Sequence, residues 1–125
     1  MKERRLYPRF DVILPVQLHI GNASVEANIF DISQGGMQLG CDRATAEIVV
    51  PTPNQSVSPG QNLAVKARFR CPNSPEQIAV ECRLVVSRRI ADNEYRIGLE
   101  FVEFANESDQ AVYEAYLQAR MAEVA

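Results

Sequence analysis

The chain has 125 residues, 46% of them hydrophobic, and a formal net charge of −3. This length favours one domain with a single core, and no run of about 18 apolar residues predicts a membrane-spanning helix. The charge is unevenly placed, because residues 2–9 carry four basic side chains against one acid and the remainder carries nine against fifteen. Such a chain lacks the broad positive face that long nucleic acid requires, and its basic N-terminal segment suits a small anion better.

Alternation of apolar and polar residues predicts six short strands, which is typical of an antiparallel barrel or sandwich. The predicted strands cover residues 10–20, 25–31, 37–41, 63–69, 78–86 and 95–101. Pro15 interrupts the first of them and indicates an edge position or a bulge, because proline cannot donate to a strand ladder.

Residues 42–61 are rich in Pro, Ser and Asn and predict a long connection, which in a compact domain is functional or mobile. Its apolar patch Ile48, Val49 and Val50 is expected to pack back as a short strand. We hypothesise that this connection diversifies contacts with partners.

An amphipathic helix is predicted over 106–123, because Asn106 is a good N-cap and acidic residues follow in the first turn. Its apolar side chains recur at spacings of three and four. The helix is expected to cover an open end of the barrel, and binding of a partner is the alternative role.

The sequence favours a binding protein over an enzyme. His19 is the only histidine and lies in a strand pattern, the acids are scattered, and the cysteines have no zinc-type spacing. Gly35 and Gly36 lack the lysine and spacing of a P-loop. We therefore expect no metal and no cofactor. Three cysteines without a secretory signal favour free thiols in a reducing cytoplasm, with Cys82 in the core.

Two short motifs carry the functional information. Arg5 and Arg9 form R-x-x-x-R before the first strand, and Asp31, Ser33 and Gly36 form D-x-S-x-x-G after the second. Guanidinium groups fork onto phosphate oxygens or onto guanine O6 and N7, and a carboxylate accepts from the N1–H and N2–H of guanine. A glycine lets a flat base approach the backbone. The pair therefore fits a guanine nucleotide.

Each motif also has an ordinary structural explanation. The arginines can belong to a solvated charged tail. Asp31 and Ser33 can bond their own turn, because both side chains readily accept from nearby backbone N–H groups. Gly35 and Gly36 can serve a positive φ angle. These explanations are compatible with a binding role.

The two motifs, in this order and ahead of this strand pattern, resemble the signature of PilZ domains, the bacterial receptors for cyclic di-GMP. The resemblance covers about residues 4–104, and residues 97–101 are similar to the last core strand of the family. It implies a six-stranded antiparallel split β-barrel with a C-terminal α-helix, in which a flexible basic arm over 1–9 precedes the barrel over 10–125. A stand-alone single-domain protein is expected.

The resemblance also assigns ligand contacts by position. Arg5 and Arg9 would grip the phosphates and the Hoogsteen edges of guanine, and Asp31 and Ser33 would hydrogen-bond a guanine. Gly35 would shape the turn, and Gly36 would leave room for the base. The ligand would fold the arm onto the barrel and create a surface that a partner protein reads, in motility, biofilm formation or exopolysaccharide production.

Three further arginines extend this assignment. In similar domains an arginine at the position of Arg4 accompanies binding of a stacked cyclic di-GMP dimer. Arg88 and Arg89, at the end of the fifth strand, are candidates to close the far side of the site, with a solvated strand end as the alternative. Val86 and Ser87 offer no stacking plane there.

Two other functions are weighed against this one. Some PilZ-like modules of type IV pilus assembly bind no nucleotide, but they usually lack the arginines that this chain keeps. A barrel for RNA or single-stranded nucleic acid requires aromatic side chains on an exposed sheet face. Here Tyr7, Tyr95 and the five phenylalanines fall mostly on core positions or in the arm.

Overall fold

A computed structural model of the chain describes residues 8–49 and 64–124. Six strands and two helices follow one another as β1 (Phe10–Ile20), β2 (Ala23–Ile32), β3 (Gly36–Cys41), α1 (Arg43–Val49), β4 (Ala64–Arg70), β5 (Gln77–Ala91), β6 (Glu94–Phe104) and α2 (Glu107–Val124). The six strands and the C-terminal helix confirm the predicted fold class. The main difference within the strands is that β5 extends five residues beyond its predicted end.

The strands form a closed barrel in the order β1-β2-β3-β6-β5-β4, with antiparallel pairing throughout. β1 pairs with β2 along most of its length, but with β4 only from Val16 to His19. Pro15 lies just outside that short ladder, and the β1–β2 register shifts between Asp11 and Leu14. β1 is not an edge strand, because the barrel is closed, and Pro15 is accommodated where β1 pairs with β2 alone, just after the register shift.

Inward-facing side chains from all six strands form one hydrophobic core. Its fully buried members include Leu18, Ile29, Ile32, Leu39, Val65, Phe69, Ile78, Val80, Leu84, Ile97 and Leu99. The alternation read from the sequence is seen directly in β4, where Val65, Ala67 and Phe69 are buried and their neighbours are not. Cys82 is 2% exposed and belongs to this core, as expected, and all three cysteines are free thiols.

Helix α2 is fixed to the barrel by its aromatic face. The Tyr113 ring packs edge-on against Phe101, with centroids 5.2 Å apart, and against Phe69 at 6.0 Å. Asn106 caps the helix by accepting from the backbone N–H of Asp109 at 2.8 Å, and the Asp109 carboxylate accepts from the β5 backbone. Neither this helix nor α1 is long and apolar enough to cross a membrane.

Helix α1 corrects a prediction, because a strand was expected at Ile48 and Val49. Asp42 accepts from the backbone N–H of Thr45 at 2.8 Å, which caps the helix and lowers the pKa of the carboxyl. Ala46 and Val49, three residues apart, are buried. The apolar spacing is therefore helical. Val50 and the rest of the predicted connection lie outside the described residues.

Candidate ligand site

The structure brings the two sequence motifs into contact. The antiparallel β1–β2 pairing places the start of β1 beside the end of β2, with Asp11 opposite Asp31. Nε of Arg9 donates to Oδ2 of Asp31 at 3.2 Å, and Nη2 of Arg9 lies 3.1 Å from Oδ1. The side chains of Arg9 and Asp31 are 31% and 18% exposed, so a ligand can reach both residues.

The Asp31 carboxylate retains unused acceptor capacity. Its Oδ1 atom is buried and accepts no hydrogen bond from the described residues, although the Arg9 guanidinium is close to it. A buried acceptor left without a hydrogen bond is unfavourable. Because Oδ1 has no exposed surface and Nη2 of Arg9 lies 3.1 Å away, an outside N–H donor can bond this atom only after the surrounding side chains, Arg9 among them, move.

The turn that follows Asp31 is held by its own hydrogen bonds. Ser33 is 4% exposed, and its hydroxyl accepts from the Gly35 N–H at 3.3 Å and donates to the Gly36 carbonyl at 3.4 Å. The Ser33 N–H also donates to that carbonyl, at 2.9 Å. In the structure the Ser33 side chain thus shapes the turn, and its contact with a ligand stays a prediction.

Two neighbouring elements anchor this turn. The Tyr113 hydroxyl of α2 donates to the Ser33 carbonyl at 2.6 Å, and the Phe101 N–H of β6 donates to the Gly35 carbonyl at 2.9 Å. Burial raises the pKa of Tyr113 far above its ordinary value, so the phenol keeps its proton and remains a donor. Helix α2 therefore fixes the position of the D-x-S-x-x-G turn through the Ser33 carbonyl.

Gly36 is required by a close approach between strands. A β-carbon at this position would overlap the Leu99 carbonyl oxygen of β6, well inside the 3.0 Å that real β-carbons keep. Among the described residues, positive φ occurs at Gly21 and Asn73. The positive-φ explanation offered for Gly35 and Gly36 is therefore wrong.

Beside Asp31, the outer face of the barrel continues across four strands. The register aligns Asp31 with Gln38, Gln38 with Gly98, and Gly98 with Val86. A surface cavity of about 220 Å³ lies along this row; its lining residues are Gln38, Val86, Arg88, Arg96, Ile97 and Gly98. Arg88 thus lies on the barrel wall that continues from Asp31.

The remaining arginine predictions have different outcomes. Arg89 does not line this cavity; its guanidinium is paired with Asp92 at 2.6 Å near the tip of the β5–β6 hairpin. Arg4 and Arg5 lie outside the part of the chain that the structure describes, so their roles stay predictions. Within residues 8–49 and 64–124, no group of three or more His, Cys, Asp or Glu side chains is arranged to hold a metal ion.

The model of the PilZ domain family matches residues 3–119. The chain belongs to the PilZ domain family. It is similar in structure to the Bacillus subtilis inhibitor of motility MotI/DgrA (TM-score 0.65, 20% identity, covering 95% of this chain and 52% of that one). It is also similar to the K. pneumonia MrkH–c-di-GMP complex (TM-score 0.66, 18% identity, 94% and 52%).

The PilZ domain of Escherichia coli YcgR with c-di-GMP is matched over nearly its full length (TM-score 0.53, 15% identity, 96% and 97%). By contrast, this chain spans about half the length of MotI/DgrA and MrkH. No curated protein matches the sequence. At these identities the structural likeness concerns the PilZ fold.

Sequence reasoning missed three side chains of this PilZ domain that lie near the candidate site. Tyr113 was predicted only as part of the apolar stripe of the helix, which carries no information on its hydroxyl. Phe30 and Arg96 contact each other on the outer face, with the Arg96 guanidinium carbon 4.6 Å from the ring centroid. The available signal was an aromatic residue immediately before Asp31.

Proposed function

We propose that this PilZ domain is a receptor for cyclic di-GMP, which it binds on the outer face of the barrel around Arg9 and Asp31. The observation that carries the proposal is the contact between these two side chains, because it unites both sequence motifs at one accessible point. The c-di-GMP complexes of MrkH and of the YcgR PilZ domain have the same fold and support this ligand.

Each residue has a definite task in this proposal. Asp31 accepts from the N1–H and N2–H of one guanine, which satisfies its Oδ1 atom. The Arg9 guanidinium exchanges its contact with the carboxylate for bidentate hydrogen bonds to a phosphate or to guanine O6 and N7. Arg5 adds a second bidentate guanidinium contact, and Arg4 supports a stacked dimer of the ligand. Ligand binding therefore exchanges an internal ion pair for contacts with the nucleotide.

The magnitudes are consistent with a micromolar receptor, which requires about 8 kcal/mol of binding free energy. Hydrogen bonds to charged groups contribute roughly 1.5–3 kcal/mol each. Two arginines and one aspartate supply much of the total, and base stacking supplies the rest. Ordering the N-terminal residues opposes binding by about 1–2 kcal/mol for each backbone position fixed.

The output is proposed to be a contact with a protein. The ligand neutralises the basic N-terminal residues and covers part of the barrel, so the bound form presents a different surface. A partner that binds only this surface converts the nucleotide concentration into regulation. We propose a regulatory adaptor of this kind, acting in the cytoplasm and without catalysis.

Isothermal calorimetry of the full chain with cyclic di-GMP tests the proposal, with cyclic di-AMP and GTP as controls for the base and for the cyclic backbone. We expect saturable binding near micromolar with one or two ligands per chain. Arg9→Ala and Asp31→Asn should each weaken it tenfold or more, and Arg68→Ala, on strand β4 away from the site, should not. Absence of heat up to hundreds of micromolar would overturn the proposal.

A further inference from the structure

Asp31 shares the outer face with Phe30 because of an irregularity in the β2–β3 pairing. Ile29 is opposite Leu39 and Asp31 is opposite Gln38, so Phe30 is an extra residue between two paired positions. Such a bulge lets two consecutive side chains project from the same face. Ile29 is fully buried, whereas the Phe30 ring is only half-buried and meets a side chain of the outer surface.

Arg96 reaches this ring from β6 by crossing a strand that carries no side chain at that level. Arg96 is opposite Gly40 of β3, and Gly40 is opposite Asn28 of β2. Because Gly40 has no side chain, no side chain of β3 separates Arg96 from β2 at this level. The Arg96 guanidinium carbon consequently lies 4.6 Å from the Phe30 ring centroid.

The position of this guanidinium is notable in two respects. Among the described residues Arg96 forms no ion pair, in contrast to Arg9, Arg83 and Arg89. It also lines the cavity that continues from Asp31 along the barrel wall. The guanidinium lies over the Phe30 ring, and its charge is not neutralised by a described carboxylate.

We propose that Arg96, supported by Phe30, is a base-stacking residue that receives a guanine of the bound nucleotide. This inference rests on the proposed function and deepens it. Guanidinium planes stack on nucleic-acid bases, and an aromatic face beneath the guanidinium holds its plane in place. The cavity wall at Val86 has no aromatic plane. Two guanidinium groups line the cavity, those of Arg88 and Arg96, and Arg96 is the one that lies over an aromatic ring.

Lysine separates stacking from simple charge, because it keeps the positive charge and lacks the plane. Calorimetry with cyclic di-GMP is therefore carried out on Arg96→Lys, on Phe30→Leu and on the double variant, with Arg68→Lys of β4 as the matched control. We expect Arg96→Lys to weaken binding about tenfold and Phe30→Leu severalfold. The double variant should be no weaker than Arg96→Lys, because both changes disrupt one unit.

Salt titrations provide an independent readout. Since lysine retains the charge, the dependence of affinity on salt should be the same for Arg96→Lys as for the wild-type chain. Thermal melting of each variant establishes that binding is measured on folded protein. Wild-type affinity in Arg96→Lys, combined with a loss in Arg96→Ala, would mean a charge contact only and would overturn the stacking role.

The same experiment distinguishes this inference from the proposed function. If the wild-type chain binds, Arg9→Ala weakens binding and Arg96→Lys does not, the inference alone is wrong. If the wild-type chain does not bind cyclic di-GMP at all, the proposed function is wrong and the stacking role fails with it.

Discussion

Substitution of Gly36 by alanine is the sharpest test of how the ligand-site turn is built. The added β-carbon would overlap the Leu99 carbonyl oxygen and lie 3.3 Å from the Glu100 α-carbon, both of which are backbone atoms that cannot rotate away. Forcing one methyl into packed backbone costs roughly 1–3 kcal/mol. Weakening the two flanking hydrogen bonds, made by the Ser33 and Phe101 N–H groups, adds about 1 kcal/mol each.

We therefore expect Gly36→Ala to lower the free energy of unfolding by about 3–5 kcal/mol, which for a domain of this size lowers Tm by roughly 10–20 °C. The matched control is Gly40→Ala, four residues along the same strand. Its β-carbon enters open space, so the stability should be unchanged or higher by up to about 1 kcal/mol, because alanine restricts the unfolded chain.

Urea unfolding and differential scanning calorimetry on the wild-type chain and both variants measure this difference. The decisive quantity is the difference in Tm and in free energy of unfolding between Gly36→Ala and Gly40→Ala, since the two changes add the same methyl group. If Gly36→Ala melts within about 2 °C of Gly40→Ala, the close approach of β6 is not what requires glycine at this position, and the account of the turn given above is incorrect.

Three further outcomes are expected. Tyr113→Phe keeps the packed ring and removes the hydroxyl that bonds the buried Ser33 carbonyl, so urea unfolding should show a loss of about 1–3 kcal/mol; wild-type stability would exclude an anchoring role for the hydroxyl. Arg9→Ala should change stability by less than about 1 kcal/mol, because its ion pair with Asp31 is partly exposed, while ligand affinity falls at least tenfold; a large stability loss with unchanged affinity would reverse this assignment. Burial raises the pKa of Cys82 from 9.0 to about 12, so in the unfolded chain this thiol ionises first as pH rises. Its contribution to stability is complete below pH 9 and lost between pH 9 and 12, and a smaller alkaline decline in Cys82→Ala, measured by urea unfolding at each pH, checks the sign.

The strands of this PilZ domain were predictable because each buries one face. A strand buried on one face must alternate apolar and polar residues with a period of two. The alternation in β4 and the apolar residues of β1 follow directly from this constraint. Helix α1 escaped prediction because seven residues are too few to establish a helical period. Its cap at Asp42 is a local signal that also occurs in ordinary turns.

The candidate site was predictable in composition and only partly in geometry. The motif residues Arg9 and Asp31 meet as their assignment to one ligand requires, although nothing in their local sequence encodes a separation of 22 positions. The placement of Asp31 on the same face as Phe30 and Arg96 depends on a single extra residue in β2, which changes the face that the aspartate occupies. Alternation cannot reveal such a shift, because it becomes visible only when the strands are paired.

The internal pairing of Arg9 with Asp31 also affects how a charged molecule approaches this protein from a distance. Cyclic di-GMP carries two negative phosphates, and an isolated carboxylate at the proposed binding face would repel it. Because Arg9 is paired with Asp31, the charge of that carboxylate is offset, and Arg88 and Arg96 add positive charge to the adjoining wall. We therefore expect the association rate of cyclic di-GMP to fall as ionic strength rises, although the chain as a whole is acidic.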